Sequence, residues 1–148
     1  MIQFPKSAIT RDLLPEEIER RSLPRRWWAE FEQDLNIRSG IAGDFTVPAG
    51  FLTDGASVPR ICWALLSDSD PDILYPSFAH DWLYSCNGHL ANGKRLDKAQ
   101  CDHVIYELML ACGAPRWKAG AVFYALAIGG QAAWDSALNQ LKISKANI

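Results

Sequence analysis

The segment Ala79-His80-Asp81-Trp82-Leu83-Tyr84 places two adjacent ionisable side chains inside an otherwise apolar run that includes Leu74, Phe78, Trp82 and Leu83. The run predicts a helix from about Tyr75 to Cys86, ended by Asn87-Gly88. On such a helix His80 and Tyr84 share a face, and Asp81 points about 100° away. A polar pair buried among apolar side chains needs partners from another element. The next predicted helix, about Leu96 to Cys112, supplies Asp102. Its carboxylate can hold the His80 imidazole in one tautomer and stabilise the protonated ring. The competing reading is a satisfied core histidine beside a surface aspartate, the commoner origin of an isolated His-Asp pair.

The rest of the chain reads as an α+β protein, mostly helical, with its strands first. Pro15 to Arg21 predicts a short helix with proline in its first turn, stopped by Pro24. Asp34–Arg38, Asp44–Val47 and Phe51–Thr53 read as short strands of a small β-meander, with Gly40 and Gly43 at the intervening turn. A short helix is expected from Pro59 through Leu65. Ala99, Val104, Leu108 and Ala111 lie near one face of the helix over 96–112. A last helix is expected over about 116–138, with the apolar run Ala119–Trp134 as a buried segment. That run is interrupted by Gln131 and is shorter than the roughly 20 residues a membrane span needs. At 148 residues one domain is expected, with residues 1–40 as an extension and 41–148 as the core.

Fifteen Lys+Arg against seventeen Asp+Glu leave a formal charge of −2. That balance argues against a protein whose affinity comes from coating nucleic-acid phosphates. The N-terminus lacks a basic start followed by an apolar stretch, so a cytoplasmic location is expected. Cys62, Cys86, Cys101 and Cys112 form no C-x-x-C pair, which leaves zinc ribbons and thioredoxin-like sites unsupported. They are expected to be reduced packing residues. His89 and His103 could join a zinc site, but no cysteine spacing completes one. A phosphohydrolase of the His-Asp type would need a metal-binding histidine upstream, and His80 is the first in the chain. No G-x-x-x-x-G-K-[ST] or G-x-S-x-G motif is present. Arg20, Arg21, Arg25 and Arg26 beside Trp27 and Trp28 form a basic-aromatic cluster. It suits either an anionic membrane surface or a solvated bend with both indoles in the core.

A second informative stretch is Gly50-Phe51-Leu52-Thr53-Asp54-Gly55-Ala56-Ser57-Val58-Pro59, which has loop chemistry. A carboxylate beside carbonyls freed by a glycine-containing turn suits a hard cation such as Ca²⁺, although T-D-G is more often a plain turn. The alternating acids and closing glutamate of an EF-hand are absent.

Taken together, a loop carrying Asp54, a helical His80-Asp81-x-x-Tyr84 and Asp102 on the next helix resemble the secreted phospholipase A2 superfamily, over about 53–130. The likeness is closest to its compact bacterial and fungal branch. The longer pattern Val47-Pro48-Ala49-Gly50-Phe51-Leu52-Thr53-Asp54-Gly55-Ala56-Ser57-Val58-Pro59-Arg60 with His80-Asp81-x-x-Tyr84 and Asp102 is similar to a phage and prophage family of unassigned function, over about 28–134. The first resemblance implies a core of two antiparallel helices plus a C-terminal helix. It further implies that His80 is the general base for a water attacking an ester carbonyl. Asp102 would orient His80, and Tyr84 would hydrogen-bond Asp102. Asp81 would bind Ca²⁺ with Asp54 and a backbone carbonyl near Gly55. The substrate implied is a phospholipid or other ester. The disulfide of the secreted enzymes has no counterpart, since the matching places hold Ala56 and a non-cysteine near Ser77. The alternative from a different class is a non-enzymatic phage protein that keeps the scaffold for virion assembly or contact with a host protein.

Overall fold

Alternation of apolar and polar residues builds the β region. The computed structural model describes residues 10–22, 29–53 and 71–137. In chain order the elements are β1 (Thr10–Asp12), α1 (Pro15–Arg20), β2 (Ala29–Phe31), β3 (Leu35–Ser39), β4 (Gly43–Val47), β5 (Leu52–Thr53), α2 (Pro71–Ser85), α3 (Lys98–Ala111) and α4 (Arg116–Gly129). Helical backbone resumes over 131–137. The fold is α+β, as expected.

Strands β3 and β4 pair antiparallel with Leu35 opposite Val47 and Ile37 opposite Phe45. Those four side chains are buried, whereas Asn36, Arg38, Asp44 and Thr46 face solvent, the period-2 pattern of a half-buried hairpin. The other sheet has the order β1-β2-β5, all antiparallel. The hairpin is therefore inserted between two neighbours of one small sheet, and β5 returns to pair with β2. Asp34 Oδ1 accepts the Ala49 amide at 2.7 Å and helps close that insertion.

α2 begins at Pro71, earlier than the expected Tyr75, and carries Pro76 inside it. Proline suits a first turn, which makes Pro71 a natural start. Asn87 and Gly88 follow with φ of 52° and 75°. Gly88 is required twice over: its φ is left-handed, and an added Cβ would lie 2.0 Å from the Leu96 carbonyl oxygen. The Leu96 amide bonds the Gly88 carbonyl at 2.9 Å, which folds the connection back on itself. α3 starts at Lys98 because Asp97 caps it. The Asp97 carboxylate accepts the Gln100 amide at 2.8 Å, and Gln100 Oε1 accepts the Asp97 amide at 2.9 Å.

One core joins the strands to the helices: Phe31, Leu35, Ile37, Phe45 and Val47 pack with Phe78, Leu83, Val104 and Leu108. The residues expected to form an N-terminal extension thus contribute to the same core as α2 and α3. A second cluster lies between α3 and α4, built from Ile105, Met109, Ala119, Val122 and Leu126. Glu107 of α3 clamps the hairpin turn, accepting Ser39 Oγ and the Gly40 amide at 2.6 Å each.

Three expectations need correction. The inner face of α3 is Cys101, Asp102, Val104, Ile105, Leu108 and Met109, whereas Ala99 and Ala111 are exposed. The apolar run Ala119–Trp134 is not buried all round: Tyr124 is 68% and Ile128 85% exposed, because α4 packs only its α3-facing side. The final helix also divides at Gly130 and does not run unbroken from Arg116. The expected helix over 59–65, Pro24, Cys62 and the Arg25–Trp28 part of the basic cluster lie outside the described residues. Arg20 and Arg21 are exposed, and Arg21 reaches Glu30 Oε1 at 3.6 Å. Cys86 and Cys101 are free thiols. Among the described residues no helix is long and apolar enough to cross a membrane.

Candidate functional site: a buried His-Asp-Tyr-Lys network

α2 and α3 pack side by side and bring His80 against Asp102. His80 Nε2 lies 2.9 Å from Asp102 Oδ1, and the Tyr84 hydroxyl donates to the same oxygen at 2.6 Å. The spacing of His80 and Tyr84 is one helical turn, so both reach a single oxygen on the facing helix. Their rings stack tilted, with centroids 4.1 Å apart. Lys98, one turn before Asp102, donates to Oδ2 at 2.8 Å and to the Leu126 carbonyl at 2.9 Å. The carboxylate is thereby tied to α2, to its own helix and, through Lys98, to α4.

His80 has no exposed surface and Asp102 is 1% exposed. Burial pushes the imidazole pKa below its usual 6.5, against the opposing pull of Asp102, and Lys98 lowers it further. For Asp102 burial acts upward, but hydrogen bonds from His80, Lys98 and Tyr84 outweigh it and hold the carboxyl below its usual 3.8. Burial, then the adjacent Asp102, drives the Tyr84 phenol far above its usual range. At neutral pH the network therefore holds a neutral imidazole, an anionic carboxylate and a neutral phenol. An ionised carboxylate only accepts, so the neutral ring must carry its proton on Nε2 and its basic lone pair on Nδ1.

Asp81, next in sequence, faces elsewhere and is half-buried. Its Oδ2 accepts the Thr53 hydroxyl, which brings the end of β5 against α2. Thr53 directly precedes Asp54. Asp54 and Gly55 themselves lie outside the described residues, and among the described residues no group of three or more His, Cys, Asp or Glu side chains could hold a metal ion. The Asp81 carboxylate and the Thr53 hydroxyl are hard oxygens of the kind Ca²⁺ takes. His89 and His103 are exposed and bond backbone carbonyls of Cys86 and Ala99.

Two participants had no assigned role from the sequence. Lys98 could have been found from its i, i+4 spacing to Asp102. Thr53 stood in the quoted loop pattern, but a strand-to-helix contact leaves no periodic trace.

The fold and the network define a small α+β protein organised around a buried histidine-aspartate couple. Residues 29–126 match the family described as "Protein of unknown function (DUF1353)", and the chain belongs to it. An unassigned-function family is what the motif pattern predicts. The matched span contains β2 to β5, α2, α3 and α4 as far as Leu126, and so the whole network. No curated protein and no solved structure matches the chain.

Proposed function

We propose that the chain is a Ca²⁺-dependent hydrolase of an ester, a phospholipid being the first substrate to test, with a phospholipase A2-like division of labour. The single observation that carries this reading is the 2.9 Å bond between His80 Nε2 and Asp102 Oδ1, reinforced by Tyr84. With Nε2 turned to Asp102, Nδ1 is the nitrogen that would act as base, and burial favours the neutral ring, the form a base needs. Nδ1 would take a proton from the attacking water, and Asp102 would stabilise the imidazolium so formed. Asp81 would hold Ca²⁺, with Asp54 and the Gly55 carbonyl completing the site beyond Thr53. When bound, the ion polarises an ester carbonyl and stabilises its oxyanion.

A second reading is favoured by the complete burial of His80 and Asp102. It makes the network structural, in a phage assembly or host-interaction protein without catalytic activity. Hydrolysis of mixed phospholipid and soluble ester substrates, by wild type and His80→Ala with Ca²⁺ or with chelator, separates the two. Ca²⁺-dependent release by wild type that His80→Ala loses supports the enzyme. Background release by both leaves the structural reading.

A further inference from the structure

Lys98 does more than contact Asp102. It forms part of the wall of a cleft of about 400 Å³ between the α2–α3 connection, the start of α3 and the helical segment 131–137. Asn87 lies in the same wall. It is 3% exposed, and its Nδ2 has no hydrogen-bond partner among the described residues. A buried amide N–H₂ without an acceptor has lost its water without compensation, so a partner entering from the cleft would restore the missing bond. Arg95 also lines the cleft, and its exposed guanidinium has no ion-pair partner among the described residues. Gln100 adds a side-chain N–H₂, because its Oε1 is already engaged by the Asp97 amide.

The donors thus come from Asn87, Arg95, Lys98 and Gln100. Asp97 is the one acid in the wall, and its Oδ1 accepts the Gln100 amide at 2.8 Å. The remaining surface is apolar: Leu96 and the half-buried indole of Trp134, which packs on Tyr84 with centroids 5.2 Å apart. A wall of N–H donors beside an aromatic plate is complementary to an oxyanion that is free or carried on an organic group.

We propose that this cleft is a binding site for a small phosphate-type oxyanion, held by Asn87 Nδ2 and the Arg95 guanidinium beside Lys98, with any organic substituent lying on Trp134. The site is separate from the base atom of His80 and does not depend on whether the couple hydrolyses esters. Its occupant would reach Asp102 through Lys98, and Tyr84 through Trp134.

The test is a titration of the ¹⁵N-labelled full chain with inorganic phosphate and, separately, with phenyl phosphate, following the Asn87 side-chain amide and the Trp134 indole N–H. Saturable shifts of both signals are expected. Arg95→Ala, an exposed change, should weaken binding by about tenfold or more through loss of a charge-assisted contact. Asn87→Asp keeps a residue tolerant of left-handed φ, replaces the donor by an acceptor, and should abolish binding. Tighter binding of phenyl phosphate than of inorganic phosphate would assign the site to an organic phosphate. Equal or weaker binding would assign it to the free anion. The proposal is overturned if neither probe saturates at about 10 mM, where a millimolar site is largely filled. It is equally overturned if Arg95→Ala binds both probes as wild type does. Should Asn87→Asp not fold, the Arg95→Ala comparison decides alone.

Discussion

The Lys98 ammonium lies 2.8 Å from Asp102 Oδ2 and 2.9 Å from the Leu126 carbonyl, so one side chain holds the acid of the couple and the C-terminal part of α4 together. Replacing Lys98 by Met leaves the 1%-exposed carboxylate without its cation. Breaking a buried pair from one side typically costs about 3–5 kcal/mol. Because Lys98 retains some exposure (14% for its side chain), the lower end is expected, about 3 kcal/mol in urea denaturation. Lys98→Met with wild-type stability would show that Asp102 does not rely on this contact.

Asp81 and Asp102 should respond differently to neutralisation. Asp81→Asn removes the carboxylate that accepts the Thr53 hydroxyl, and on the function proposed above Ca²⁺ binding, followed by titration calorimetry, should disappear. Asp102→Asn, packed against His80 and Tyr84, should leave Ca²⁺ affinity nearly unchanged while hydrolysis falls by an amount on the order of 10²-fold or more. The reverse pattern would invert the roles proposed for the two acids.

The legible and illegible parts of this chain divide along physical lines. His80, Tyr84 and Asp102 were legible because ionisable groups in an apolar helix demand a partner, and the following helix offered an acid at the right height. The β3–β4 hairpin was legible from alternation. The start of α2 was not, since Pro76 reads as a helix boundary and Pro71 supplies an equally good one. The exposed face of α4 was hidden because hydrophobic content does not say which side of a helix finds a neighbour. Trp117, Tyr124 and Ile128 all lie on the outside. The Thr53–Asp81 contact depends on β5 returning to β2 around the inserted hairpin, and no local pattern encodes that path.

Glu107 is the link between that hairpin and the helical layer. Both of its oxygens are used, one by Ser39 Oγ and one by the Gly40 amide. Glu107→Ala should destabilise the chain by about 1–3 kcal/mol, as loss of hydrogen bonds to a charged acceptor does. Amide exchange at Gly40 should accelerate by more than at Leu108, in the core of α3. Uniform acceleration at both positions would mean that the clamp is not local.

Gly88 should tolerate no side chain. Its φ of +75° strains an L-residue, and a Cβ would meet the Leu96 carbonyl oxygen at 2.0 Å. Relieving the clash must open the Leu96-to-Gly88 hydrogen bond, which sets where α3 begins relative to α2. Gly88→Ala should therefore lower Tm by several degrees, as a change of about 1–3 kcal/mol does for a domain of this size. An unchanged Tm would contradict the close approach.

Acid should weaken the fold in stages. The unfolded His80 side chain takes up a proton near its usual 6.5, whereas in the folded chain burial among α2 and α3 pushes its pKa lower. The unfolded state then binds more protons, so this stability is present above about 6.5 and is lost as pH falls through the lower folded value. Asp102 acts in the same direction but only below its usual 3.8. Glu17, held to about 2 by hydrogen bonds from Arg11 and the Leu14 amide, acts between 4.5 and about 2. Between about pH 7.5 and about pH 5.5 the loss of unfolding free energy should thus trace to His80. Urea denaturation across that range should show declining stability in wild type and a flatter profile in His80→Gln, which has no titrating ring. Equal stability of wild type at both ends would mean that the imidazole is protonated as readily inside the fold as outside it, and the neutral base would be lost with it.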